Sequence, residues 1–233
     1  MAVMQERCVT LKGHAGKKAG LMGVYKLNEE HSTEGKDIYT NVVLSDVHLY
    51  RGTDGIWYAS TAENMVGGKS AGWIASTTAS DSFLDLKWKS GKCHDGITWQ
   101  DDPLLKVTET TAADRAAFAA ETARVLAITA IMVAGHTGVQ ASWMGTYKRN
   151  AEHPPMNGGN VYTKTDDSNT HFFRSIFGSW YISDTENMVA GKSSGWICSA
   201  STSHSPLGLA WAFADPTPGS TWPVDPLLKI TGS

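Results

Sequence analysis

The sequence is poor in the residues that usually announce chemistry. Cysteine is scarce: Cys8, Cys93 and Cys198 are odd in number and irregularly spaced. They fit neither a disulfide framework nor a zinc site. Charge is scarce as well, at 18% of residues with a net −3. Nucleic acid is therefore excluded as a main partner, because phosphate binding needs a positive footprint. No apolar run reaches the roughly 18 residues that a membrane-spanning helix requires. The first seven residues hold no apolar stretch of a secretory signal. These absences lead us to expect a soluble protein of the cytoplasm or an organelle interior, with no membrane span and no cofactor. With 41% hydrophobic residues, the 233-residue chain nevertheless has the apolar mass to fill a core.

What the chain does have is a tandem repeat. Met22-Gly23-Val24-Tyr25-Lys26 recurs as Met144-Gly145-Thr146-Tyr147-Lys148, and His48-Leu49-Tyr50-Arg51 as His171-Phe172-Phe173-Arg174. Glu63-Asn64-Met65-Val66 recurs as Glu186-Asn187-Met188-Val189, and Gly72-Trp73-Ile74 as Gly195-Trp196-Ile197. Asp102-Pro103-Leu104-Leu105-Lys106 returns as Asp225-Pro226-Leu227-Leu228-Lys229. From Gly35 onward the copies align without a gap, and roughly half the positions are identical. One extra residue enters the second copy between His153 and Gly158.

Within the first copy, residues 9–11, 23–25, 38–40, 48–51, 56–60 and 73–75 are short β-branched and aromatic runs. Gly, Asn, Asp and Ser punctuate them, the pattern of an all-β sandwich or small barrel. Residues 51–56 read as a hairpin loop. Each final strand is expected just after Pro103 or Pro226. Between the copies, residues 111–130 switch to helical spacing, with Thr111 and Asp114 as a cap. The expected architecture is two homologous β-sandwich or barrel-like modules, residues 1–109 and 131–233, joined by one α-helix over 110–130.

Several patterns tempt a chemical reading. Gly68-Lys69-Ser70 and Gly191-Lys192-Ser193 suggest a phosphate loop, but Glu63 and Glu186 stand where it needs its first glycine, and a strand follows. The same stretches match the serine nucleophile elbow, yet neither flank supplies its strand-before and helix-after context. Six of the eight histidines fall in pairs, His14/His136, His31/His153 and His48/His171, without local metal-ligand spacing. We read His48 and His171 as packed, hydrogen-bonded strand residues.

Nine tryptophans are the strongest compositional signal, eight of them paired: Trp57/Trp180, Trp73/Trp196, Trp88/Trp211 and Trp99/Trp222. Trp143 stands alone, opposite Leu21. Flat aromatic faces suit sugar stacking or a peptide groove. Core filling competes with both, so most of each quartet is expected inside, with one or two per copy at the surface.

The polar pairs Arg51/Arg174, Glu63/Glu186, Asn64/Asn187 and Lys69/Lys192 cluster around the central hairpin. A structural network and a binding groove explain them equally well. The hairpin tips differ: Gly52-Thr53-Asp54-Gly55 in one copy, Ser175-Ile176-Phe177-Gly178 in the other. Isoleucine and phenylalanine are costly to leave in water, so Ile176 and Phe177 are expected to touch the sister module or a partner protein. Residues 89–95 are charged, whereas 213–219 are proline-rich, so the two copies need not bind the same thing.

The order Gly-x-Tyr, aromatic hairpin, Glu-Asn-Met, Gly-Lys-x-x-Gly-Trp and closing Trp resembles the Trp/Tyr-rich β modules, often in tandem, of unicellular algae and other protists. The resemblance covers most of both copies and implies an interaction role, with no catalytic residues to carry over. The expected function is therefore non-enzymatic: a bivalent protein-interaction or scaffold protein, an accessory subunit of a larger assembly. Its candidate partner-binding residues are Ile176, Phe177, Arg51, Arg174, Glu63, Glu186, Lys69 and Lys192. The alternative is a carbohydrate-binding protein with one aromatic glycan site per module.

Overall fold

The computed structural model describes residues 7–14, 19–32, 36–93, 97–138, 140–214 and 222–233. The amino-terminal residues 1–6, and the contrast between residues 94–95 and 215–219, lie outside the described residues.

The first copy forms nine strands: β1 (Cys8–Lys12), β2 (Gly23–Leu27), β3 (Tyr39–Asn41), β4 (Val47–Arg51), β5 (Trp57–Thr61), β6 (Ile74–Ser76), β7 (Trp88–Cys93), β8 (Ile97–Asp101) and β9 (Lys106–Glu109). Strands β1 to β8 run as a consecutive meander, and β9 folds back beside β1, giving one curled antiparallel sheet. The second copy repeats the order with β10 (Ala130–Ala134), β11 (Gly145–Arg149), β12 (Tyr162–Lys164), β13 (Asp167–Arg174), β14 (Trp180–Asp184), β15 (Ile197–Ser199), β16 (Trp211–Phe213), β17 (Val224–Asp225) and β18 (Lys229–Gly232). Both modules are all-β, and each is barrel-like around its own core, as the strand pattern predicts.

Period-2 alternation decides which face each residue takes. Val47 and Leu49 of β4 face inward with Trp57 and Ala59 of β5, joined by Val9, Leu11, Tyr25, Ile74 and Trp88. The alternate residues Tyr50 and Tyr58 face outward, yet they too are buried, under Met65. That cover comes from a one-turn helix after β5, α1 (Ala62–Val66). Its counterpart in the second module is α3 (Thr185–Val189), whose Met188 packs on Phe173 and Val161. Both short helices are capped locally. The Thr61 hydroxyl accepts from the Asn64 N–H, and the Asp184 carboxylate from the Asn187 N–H. The inner and outer cores explain why the central strands are buried on both faces.

The intervening helix, α2 (Ala112–Leu126), is shorter than the helical spacing predicts. Its start matches expectation: the Thr111 hydroxyl accepts from the Asp114 N–H at 3.1 Å, and the Asp114 carboxylate accepts from the Thr111 N–H at 3.0 Å. Its end does not, because Ala130 already pairs with Lys148 as the first residue of β10. Ile131, fully buried in the second core, is better served by a sheet than by another helical turn. The chain divides into two compact units at Phe118/Ala119, within this helix.

The final strands also begin later than predicted, at Lys106 and Lys229. The residues after each proline complete a turn first: the Leu105 N–H donates to the Asp102 carbonyl at 3.2 Å, and Leu228 to Asp225 at 3.3 Å. Among the described residues, no helix is long and apolar enough to cross a membrane.

Candidate functional site

Three of the four tryptophan pairs belong to the inner cores. Trp57, Trp88, Trp180 and Trp211 are buried, while Trp73 and Trp196 pack against the same clusters partly exposed. The indole N–H of Trp57 donates to the Ser80 carbonyl at 3.0 Å, and that of Trp180 to Ser203 at 3.1 Å. Buried indoles need such partners. Trp143 stacks on Trp196 at 3.8 Å in the second module, where the first has the buried Leu21. The fourth pair faces outward: Trp99 sits 6.5 Å from Tyr58, and Trp222 sits 6.4 Å from Tyr181. Lys89 lies over the Trp99 ring at 5.2 Å, whereas Trp222 is 41% exposed.

The polar pairs form a local network around α1 and α3. Lys69 pairs with Glu63 at 2.8 Å and Lys192 with Glu186 at 3.1 Å, all four side chains at the surface. The hydrogen bond and charge of the Lys69 ammonium hold the Glu63 carboxyl below the usual carboxylate range. Asn64 donates to the Ser60 hydroxyl at 2.9 Å, and Asn187 to Ser183 at 3.1 Å, tying each short helix to the strand before it. The Gly-Lys-Ser segments lie in the turn between a one-turn helix and a strand, with Gly68 and Gly191 in the left-handed region at φ +58° and +60°.

The two arginines diverge. Arg51 is partly exposed; its Nε donates to the Gly55 carbonyl at 3.2 Å, and its other arm meets the fully exposed Asp81 at 2.8 Å. Arg174 is 3% exposed and meets no carboxylate among the described residues. Its Nε donates to the Gly178 carbonyl at 3.3 Å and its guanidinium to the Asn157 carbonyl at 2.6 Å. Burial lowers its pKa to about 10.

His48 and His171 are packed strand residues, as read from the sequence. His48 Nδ1 bonds the Thr40 hydroxyl at 2.9 Å, and His171 Nδ1 bonds that of Thr163 at 3.0 Å. His14 and His136 each bond the aspartate of the Asp-Pro-Leu-Leu turn, Asp102 and Asp225, the second pair at 2.6 Å. These contacts clamp each closing turn to the loop after the first strand. Among the described residues, no group of three His, Cys, Asp or Glu is arranged to hold a metal.

Ile176 and Phe177 are half-buried rather than projecting. Ile176 lies over Gly191: its Cγ2 is 3.2 Å from where a Cβ would stand, and its N–H donates to the Gly191 carbonyl at 3.3 Å. In the first module Thr53 makes the equivalent bond to the Gly68 carbonyl at 3.4 Å. Hairpin tip and helix turn thus form one outer face in each module. The most exposed apolar residue on that face was not singled out from sequence: Val66 is 71% exposed and Val189 63%. A second repeated pair, Leu104 at 67% and Leu227 at 64%, marks the Asp-Pro-Leu-Leu turn. The signal that points to both was in the sequence as apolar identities repeated beside Asn-Met and Asp-Pro.

In the first module this face also contains a groove of about 580 Å³, bordered by the hairpin tip, the end of α1 and the segment before β3. Ile38, Arg51 and Val66 are among the residues lining it, with Tyr50 and Met65 buried beneath.

Comparison of the chain with known protein families, with curated proteins and with solved structures returned no match.

Proposed function

We propose that the protein is a non-enzymatic, bivalent interaction or scaffold protein, an accessory subunit of a larger assembly, with one partner-binding face per module. The observation that carries this reading is the matched exposure of Val66 and Val189 beside the hairpin tips. A single exposed valine needs no explanation. The same valine left in water in two copies that differ at roughly half their positions is a repeated surface feature. Its surroundings suit an interface: apolar centre, with the Glu63–Lys69 or Glu186–Lys192 ion pair at the rim. In the second module Ile176 and Phe177 extend the apolar part. Two such faces on one chain raise the effective concentration for a repeated or extended partner.

Carbohydrate binding is the second reading, favoured by the outward Trp99 and the exposed Trp222, each against a tyrosine. Affinity capture of the tagged chain from its native cell extract separates the two, with a glycan array on the same preparation. We expect a stoichiometric protein complex that Val66→Asp with Val189→Asp abolishes, and a silent array. Glycan binding without a protein partner overturns the reading and makes Trp99 and Trp222 the site.

A further inference from the structure

The two modules end their sheets differently, and only one of the two ends is blunted. The last strand of the first meander, β8, has five residues, whereas its counterpart β17 has two. Pro223 stands at the repeat position of Gln100 and has no N–H to give to that rung of the ladder. Short edge strands and prolines keep a sheet edge from pairing further. β8 has neither device: no proline stands between Ile97 and Asp102.

Hydrogen-bond direction shows which backbone groups of β8 are unused. The Gly91 N–H donates to the Trp73 carbonyl at 2.8 Å, away from β8, and the Asp102 N–H donates to the Trp88 carbonyl at 2.9 Å. Antiparallel strands alternate, so Trp88, Ser90 and Lys92 turn their backbone toward β8. Opposite them, Thr98, Gln100 and Asp102 turn toward β7. The N–H and C=O groups of Ile97, Trp99 and Asp101 therefore point off the sheet. Among the described residues, no strand pairs with them. Thr98, Gln100 and Asp101 are exposed and Trp99 is half-buried, so this edge lies at the surface.

We infer that β8 is a self-association edge, at which two copies of the chain pair β8 with β8, antiparallel about a twofold axis at Trp99. In that register Trp99 exchanges both backbone bonds with the second copy's Trp99, and Ile97 does so with Asp101. Every outward group of the strand is then used. Thr98 falls opposite Gln100, a hydroxyl against an amide, and the two Trp99 rings become neighbours on one face. Each Asp101 stands across from Ile97 rather than from another carboxylate, so no like charges meet along the strand. Five residues span about 17 Å. A contact of that length buries well under the roughly 1,200 Å² of a stable interface, so the pairing is weak and reversible. This contact is separate from the proposed partner-binding faces and does not depend on them; pairing two chains doubles their number.

Sedimentation equilibrium of the full chain reads the association, and amide hydrogen exchange reads its register. We expect a reversible monomer–dimer equilibrium with a Kd between about 10 μM and about 1 mM. The amides of Trp99 and Asp101 exchange freely in dilute solution and slow as concentration rises, while those of Thr98 and Gln100 are protected throughout. Asp101→Pro removes an N–H that the module's own ladder does not use and weakens the dimer at least about tenfold. Trp99→Lys sets like charges directly opposite each other and weakens it likewise. Val224→Pro, the same change at the equivalent position of the second module, leaves it unchanged. A chain that stays monomeric throughout, or a dimer that neither Asp101→Pro nor Trp99→Lys weakens, overturns the inference. Protection of the Trp99 and Asp101 amides already in dilute solution also overturns it, because the chain itself then covers the edge. Protection gained only in a complex with another protein overturns it as well and gives the edge to that protein's strand.

Discussion

His171 and Thr185 share a 2.8 Å hydrogen bond through Nε2, and the first module has lost it. Ala62 stands at the repeat position of Thr185, so His48 Nε2 is buried without a hydrogen-bond partner among the described residues. An unmet buried polar atom costs about 1–3 kcal/mol. Ala62→Thr is therefore expected to stabilise the first module by about 1 kcal/mol, and Thr185→Ala to destabilise the second by a similar amount. Urea midpoints of the two variants, moving in opposite directions, check this.

The same histidines make stability depend on pH. Burial lowers the pKa of His48, opposed by Asp46 and reinforced by His31; burial and His153 lower that of His171, opposed by Asp167 and Asp184. The folded state therefore disfavours the imidazolium. Their contribution is complete above the ordinary value of 6.5 and declines as pH falls from there toward each lowered folded pKa. Unfolding midpoints measured from pH 7.5 down to pH 5 should fall, and His48→Asn should flatten the decline.

Arg174 and Arg51 are one position in the repeat with two energetic roles. Arg174→Met leaves the Asn157 and Gly178 carbonyls without their donor inside the module, a loss of about 2–3 kcal/mol. Arg51→Met gives up a pairing with an exposed aspartate and a single carbonyl bond, about 1 kcal/mol or less. Thermal or urea denaturation of the two variants distinguishes them.

Gly13 and Gly135 are required by close approach. A Cβ on Gly13 would stand 1.7 Å from the Leu104 carbonyl oxygen, and on Gly135 1.8 Å from that of Leu227, with φ near +102° at both. Gly13→Ala and Gly135→Ala should each cost several kcal/mol and loosen the closure of the last strand on the first. Hydrogen exchange at Val107 and Ile230 reports that loosening.

Trp180 and Trp222 separate core from surface. Trp180→Ala empties a fully buried site stacked on Phe172 and should cost about 3–5 kcal/mol. Trp222→Ala removes a half-exposed ring and should cost about 1 kcal/mol or less. A glycan that quenches tryptophan fluorescence in the parent but not in the Trp222 variant supports the carbohydrate reading; quenching that persists removes Trp222 from it.

The repeat, the strand segments and the inward tryptophans were legible because each depends on neighbours in the chain. Alternation puts Leu49 and Trp57 on one face, and the Thr111–Asp114 box starts a helix, whatever lies elsewhere. The helix end was not legible, since Ala130 is decided by pairing with Lys148 across the sheet. The polar pairs were ambiguous for the same reason. Only the turn after each short helix brings Lys69 to Glu63 and Lys192 to Glu186.

By itself the sequence determined two β modules, most of their strand segments though not β7 and β8, and the residues large enough to fill them. Tertiary structure decided which equivalent positions became different surfaces. Arg51 and Arg174 are the same letter in the same context, yet one is partly exposed against Asp81 and the other is buried beneath an Asn-Gly turn. Met156 at the start of that turn packs on Phe173 and Met188, segments far apart in the chain that meet only when the sheet curls and α3 closes over it. Local patterning sets which face a side chain takes; what meets it there is set by distance in space.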